Sequence, residues 1–187
     1  MIPRWIVYFQ AALLGVVALT CFVFGLMVGN LTGLGQSGQV ELVDCRVKGQ
    51  VVYQQGNREV ADVNAVVLVM PLNEKPDERV PAELVHPDTF RPLNNAALDM
   101  LLELGGAAVR VDERGQFDLS VDGPHEYFVL IVSANQDRGS GDGLSKIQRA
   151  AVGTFFRPVD DVVGNRNFEW RNIFTDKEEI DLGKVTF

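Results

Sequence analysis

The sequence predicts a mainly β domain, a sandwich of short strands with two helices inserted or appended, carried behind one N-terminal transmembrane helix. Three observations lead there. From Trp5 to Val28 no residue carries a charge. Beyond residue 44, short β-branched and aromatic runs alternate with turns rich in Gly, Pro and Asn. Between those runs, two stretches repeat apolar residues every three or four positions, the spacing of a helix face. The 187 residues are 47% hydrophobic and 22% charged, an ordinary globular composition with room for about one domain. A formal net charge of -8 and a pI near 4.7 leave no basic face for neutralising phosphates, so nucleic acid is not an expected partner.

In the uncharged run only Gln10 and Thr20 interrupt the apolar residues. A helix of about 24 residues rises about 36 Å, enough to cross a hydrocarbon core of about 30 Å with some tilt. A buried core helix would need protein on every side, and the rest of the chain is too small to supply that and its own core. The run is too long for a cleaved secretory signal and offers no A-x-A pair near Val28 and Asn30. Thr20 before Cys21 fits a lipoprotein signal poorly. The expected organisation is a cytoplasmic stub (1–4), an uncleaved signal-anchor helix (5–29), a flexible linker (30–43) and an extracytoplasmic domain (44–187). Arg4 at one end, Glu41 and Asp44 beyond the other, and the interfacial aromatics Trp5 and Tyr8 orient the span with its N-terminus in the cytoplasm. The expected location is therefore the cell membrane, crossed once.

Within the span Cys21, Gly25 and Gly29 recur every fourth residue, and residues 25–29 form a GxxxG pattern. Such a stripe allows close helix approach and a homodimer through the membrane, although a single match also arises by chance. The linker, NLTGLGQSGQ over residues 30–39, is Gly-rich, polar and aperiodic. Its Asn30-Leu31-Thr32 sequon lies too near the membrane to expect use. Cys21 in lipid cannot reach Cys45 beyond the linker, and Cys45 reads as a buried free thiol. With Arg4, Glu41 and Asp44 set aside, residues 46–187 keep a net charge of -7, which does not favour anionic lipid.

The domain opens with Arg46 to Tyr53, which alternates loosely, then the polar turn QQGNRE, then the nearly continuous β-branched run Val63 to Met70, closed by Pro71. Two strands joined by a turn are expected. A helix capped by Asn94 or Asn95 follows, with Ala97, Leu98, Leu101, Leu102 and Leu104 on its apolar stripe and Gly105-Gly106 as its stop. Val109, Val111, Phe117 and Leu119 flank the turn Asp112-Glu-Arg-Gly115 and predict a hairpin with Phe117 in the core. Gly123-Pro124 breaks the chain before Tyr127 to Val132, a further buried strand. A second helix runs from Leu144 through Ile147, Ala151 and Phe155, with Asp142 or Ser145 as cap and Lys146 and Arg149 on its wet face. Phe168 and Trp170, then Ile180, Leu182 and Val185, mark the last strands.

Four of these segments together resemble a family: Val47-Lys-Gly49-Gln-Val51, Asp62-Val63-Asn-Ala65-Val66-Val67, Val111-Asp112-Glu-Arg-Gly115-Gln-Phe117-Asp-Leu119 and Gly123-Pro-His-Glu126-Tyr127. In order and spacing they look like the carboxypeptidase regulatory-like domain. The resemblance covers about residues 44–134 and implies a transthyretin-like (prealbumin-like) Greek-key β-sandwich. The chain departs from the pattern in having Val111 where Thr is usual, in an insertion at 71–107 and in its long stretch after residue 134. Such a resemblance implies a structural or binding module rather than a chemistry. The family fold has an enzymatic branch that hydrolyses 5-hydroxyisourate, with histidines, an arginine and a C-terminal Tyr-Arg-Gly-Ser. Here the last residues are Gly183-Lys-Val-Thr-Phe187, and that activity is not implied.

Catalytic patterns are absent from the sequence. His86 and His125 are the only histidines, with no HExxH, no cysteine pair and no Gly-x-Ser-x-Gly elbow. Asn135 to Gly143 is the most suggestive segment: Asp137 and Asp142 with neighbouring amides and carbonyls have the oxygen chemistry of a calcium site, without EF-hand register. A solvated turn that leads into the second helix is the expected reading. Asp160-Asp161 and the cluster Asp176, Glu178, Glu179 read as solvated surface. The expected function is a membrane-anchored extracytoplasmic binding or scaffolding module with a protein partner, no cofactor and no catalysis. The alternatives are a hydrolase or an accessory subunit of a cell-envelope enzyme using residues 135–143 and the carboxylates near them, a calcium-dependent ligand-binding domain using the same residues, or a ligand sensor.

Overall fold

A computed structural model describes residues 44–88, 95–139 and 141–187. The anchor helix, the linker and the stripe of Cys21, Gly25 and Gly29 lie outside the described residues. Among the described residues no helix is long and apolar enough to cross a membrane. The strands in chain order are β1 (Cys45–Gln55), β2 (Arg58–Ala61), β3 (Val66–Pro71), β4 (Val80–Pro81), β5 (Ala107–Arg110), β6 (Gln116–Val121), β7 (Glu126–Asp137), β8 (Phe156–Arg157), β9 (Arg166–Phe174) and β10 (Glu179–Thr186). Helices α1 (Asn95–Glu103), α2 (Lys146–Phe155) and α3 (Asp160–Val163) join them.

The first sheet is organised around β1. Strand β10 runs parallel along one of its edges. On the other edge β6 pairs with Cys45 to Gln50 and β2 with Val52 to Gln55, both antiparallel. The second sheet has the order β5-β3-β7-β9, all antiparallel. Strands β4 and β8 form a small parallel pair of their own.

Strands β3 and β7 read as unbroken apolar runs because both of their faces are covered. Val67, Val69, Tyr127, Val129 and Ile131 point into a core shared with Val47, Val51, Phe117, Leu119 and Val185 of the first sheet. The alternate residues Val66, Leu68, Met70, Phe128, Leu130 and Val132 enter a second core with Leu101 of α1, Val152 and Phe155 of α2, and Val162 and Val163 of α3. Period-two alternation thus feeds two cores from one strand. The domain is mainly β, with two sheets packed face to face and helices over the outer face of one. In the second core Trp170 stacks on Phe128 with ring centroids 4.5 Å apart and planes 12° from parallel.

Several expectations need correction. The turn at Gly56 joins β1 to β2, a short strand missed in the polar QQGNRE stretch, and β3 belongs to the other sheet. The chain crosses over at Asp62 to Ala65, where Asn64 takes φ 69. Likewise Asp112 to Gly115 is no hairpin: β5 pairs with β3 and β6 with β1, so this turn also passes between sheets. Sequence periodicity cannot tell a hairpin from such a crossing, because both need an acidic turn with a glycine at positive φ. Asp112 Oδ1 accepts the backbone N–H groups of Arg114 at 2.9 Å and Gln116 at 2.7 Å, and Gly115 takes φ +79. In α2 the Ser145 hydroxyl and the Gln148 side chain form a capping box, but Ile147 is 81% exposed and not on the packed stripe. Leu102 of α1 is exposed as well, whereas Leu101 is buried.

Candidate functional site

Side chains of β1, β6 and β10, with Val109 and Arg110 of β5 and Asp112 of the turn after it, border an open groove of about 710 Å³. A bulge shapes it: Lys48 pairs with Asp181 and Gln50 with Lys184, so Leu182 and Gly183 of β10 stand opposite Gly49 alone. Gly183 takes φ +70, and its N–H donates to Asp181 Oδ1 at 2.8 Å. Beneath Gly49 lies the ring of Phe117, which with Val109 forms the apolar part of the lining.

Charges around the groove balance. Lys48, Arg110 and Lys184 line it with Asp112, Asp118 and Asp181 and the amides of Gln50 and Gln116. Most of the ions already have partners. Lys48 Nζ lies 2.6 Å from Glu179 Oε1, and this hydrogen bond raises the ammonium above its usual range. Arg46 forms a bidentate pair with Asp118, whose carboxyl it holds below the usual carboxylate range. Lys184 Nζ lies 2.6 Å from Glu59. These pairs are exposed and contribute little stability. They fix the direction of side chains along the groove, leaving an array of donors and acceptors of both signs.

A second polar cluster gathers at the end of β7. Asp62 and Ser133 are fully buried. Asp62 accepts from the Ser133 hydroxyl at 2.5 Å, the Asn135 amide at 2.8 Å and the Ala134 N–H at 3.2 Å. Nearby Arg166 donates to Asp88 at 2.5 Å and Asp137 at 3.1 Å, tying the inserted segment to β7 and β9. Arg110 donates to the carbonyls of Asn64, Pro87 and His86, each at 3.2 Å, and so holds the same segment. His86 Nδ1 accepts the Asp88 N–H at 3.2 Å, which places the neutral ring's proton on Nε2. Burial lowers the His86 pKa, and Arg166 and Arg110 add to the effect against Asp88 and Asp161. A Cβ on Gly164 would stand 2.6 Å from His86 Nε2, so the ring is packed on a glycine with φ +51.

Asp137 therefore ends strand β7, in an ion pair, rather than lying in a flexible loop. Asp142 lies farther along, its N–H donating to Gly139 O at 3.4 Å. Among the described residues no three His, Cys, Asp or Glu are grouped to hold a metal ion. His125 stands just before β7 begins and His86 beside its end, so the strand keeps the histidines apart. Cys45 is buried, with its thiol pKa raised by burial. Asp160, Asp161, Asp176, Glu178 and Glu179 are exposed, as expected. Sequence reasoning missed the groove residues. Their one signal is the polar half of the alternation in β1, β6 and β10, which solvent exposure alone also produces.

No family model matches this chain, and no curated protein matches it. Among solved structures it is similar to a candidate carbohydrate binding protein from Pseudomonas aeruginosa, at 9% identity and a TM-score of 0.39, over 81% of this chain and 93% of that one. It is also similar to a 9R-lipoxygenase from Cyanothece, at 11% identity and a TM-score of 0.30, over 81% of this chain and 17% of that one.

Proposed function

We propose that this protein is a membrane-anchored, extracytoplasmic and non-catalytic binding module, built on a transthyretin-like sandwich, that holds a neutral, hydroxyl-rich ligand of the glycan or polyol class along the groove of β1, β6 and β10. The charge balance of that groove carries the reading. Three cations and three anions with two amides line it, many hydrogen-bonding groups with no net charge among the lining residues, which favours hydroxyl groups over a charged ligand. Groove side chains include no histidine, serine or cysteine to act as base or nucleophile. The Ser133 hydroxyl is buried against Asp62, and the two histidines flank opposite ends of β7. Anchoring rests on the uncharged run from Trp5 to Val28.

Heteronuclear NMR of the detergent-solubilised chain, titrated with a panel of neutral oligosaccharides, tests the binding claim. Shifts confined to residues 48–50, 116–118 and 181–184 support it. Shifts centred on the Arg166 cluster, or none with any member of the panel, refute it. Protease added to spheroplasts tests the anchoring claim: degradation of the chain beyond residue 44 is expected, and full protection contradicts the orientation.

A further inference from the structure

Among the described residues, strand β9 is an outer strand of the second sheet and pairs with β7 alone. Among the described residues it is also the longest outer strand; β6, an outer strand of the first sheet, has six residues in regular register with β1. Strands β5 and β2 have four residues each. Strand β10 is interrupted by the bulge at Gly183, a device that spoils an edge for further pairing. Strand β9 has nine residues, and its pairing with β7 is regular from Phe168 to Phe174. Such an edge presents a row of backbone N–H and C=O groups to another chain.

At the centre of β9, RNFEWRNIF, Glu169 and Arg171 flank Trp170 with opposite charge. In an antiparallel pairing of two copies about a two-fold axis at Trp170, Glu169 of each copy faces Arg171 of the other. Both residues lie on one face of the strand, partly exposed, with Arg171 Nε 3.3 Å from Glu169 Oε1. Side by side, two copies would bring four charges together in alternating sign, and directly opposite residues of opposite charge stabilise such a pair. Shifting the pairing by two residues toward either end breaks both matches. On the same strand Phe174 is half exposed.

We infer that two copies of this chain associate edge to edge through β9, in the register that sets Glu169 against Arg171, to form one continuous sheet across an isologous interface. No residue of β9 lines the groove, and Arg171 meets its border at Leu182 O, to which Nη1 donates at 2.7 Å.

Two differently tagged full-length copies, co-expressed and solubilised in detergent, provide the test. Wild-type copies co-purify. Copies that both carry Glu169→Arg place like charges opposite each other, as do copies that both carry Arg171→Glu, and each pairing weakens by about tenfold or more. A Glu169→Arg copy with an Arg171→Glu copy restores both matches and co-purifies as the wild type does. That mixed rescue also shows both variants to be folded. Equal co-purification in every combination would place the association elsewhere, and its absence between wild-type copies would exclude it; either result overturns the inference.

Discussion

The ring of Phe117 occupies the space that a side chain at residue 49 would need: a Cβ on Gly49 would stand 2.7 Å from Phe117 Cζ and 3.0 Å from Gly183 O. The ring is 4% exposed and belongs to the core between the sheets. Phe117→Ala should lower the unfolding free energy by about 3 to 5 kcal/mol, read from urea denaturation. Gly49→Ala should destabilise as well, although alanine in a strand interior normally gains over glycine. Adding Phe117→Leu to Gly49→Ala should recover part of that loss. Gly115→Val meets both a φ of +79 and a Cβ position 2.7 Å from Val51 O, so its cost should exceed the about 1 kcal/mol typical of conformation alone.

A pH dependence is expected from His86. Burial holds its folded pKa below the usual 6.5, so the unfolded chain takes up the proton more readily. Its contribution to stability is present above the unfolded pKa and is lost as pH falls through that value toward the folded pKa. Thermal melts between about pH 5 and pH 8 should show a decline on the acid side, starting near pH 6.5. His86→Gln should flatten that part of the profile, while carboxylate effects below about pH 5 persist. An unchanged profile in the variant would show that the ring is not held neutral by its site.

Much of the fold was legible in the sequence, and the reason lies in where the polar residues fall. The runs Val66 to Met70 and Tyr127 to Val132 announce buried strands, Ser145 announces the start of α2, and Gly115 announces a tight turn. Sheet membership was not legible. Asp112 to Gly115 and Asp62 to Ala65 each carry the chemistry of a local turn, yet both pass the chain from one sheet to the other, a choice made by long-range packing. Ile147 fits the helical stripe and still faces solvent, because helical spacing defines a face without showing what covers it. The groove was illegible for a related reason: its residues look like any solvated strand face until the Gly49 bulge brings them together.

For residues 135–143 the geometry favours an ion pair over a cation site, since the guanidinium of Arg166 already lies against the Asp137 carboxylate at 3.1 Å. The Asp137 side chain is 63% exposed, so Asp137→Ala should cost no more than about 1 kcal/mol. Calcium at about 100 times a millimolar-range Kd or below should leave the melting temperature unchanged. A rise with calcium that Asp137→Ala abolishes would establish a metal site in this segment.

That the groove of β1, β6 and β10 holds a neutral hydroxyl-rich ligand through balanced donors and acceptors is what we propose. It is tested most directly by the salt dependence of binding for the neutral oligosaccharide that the chain binds best, measured by calorimetry on the full-length protein. The same Kd is expected at about 10 mM and about 1 M salt, where the screening length falls from about 30 Å to about 3 Å, with a loss of binding in Gln50→Ala/Gln116→Ala. Affinity that falls steeply with salt and survives the loss of both amides would contradict it.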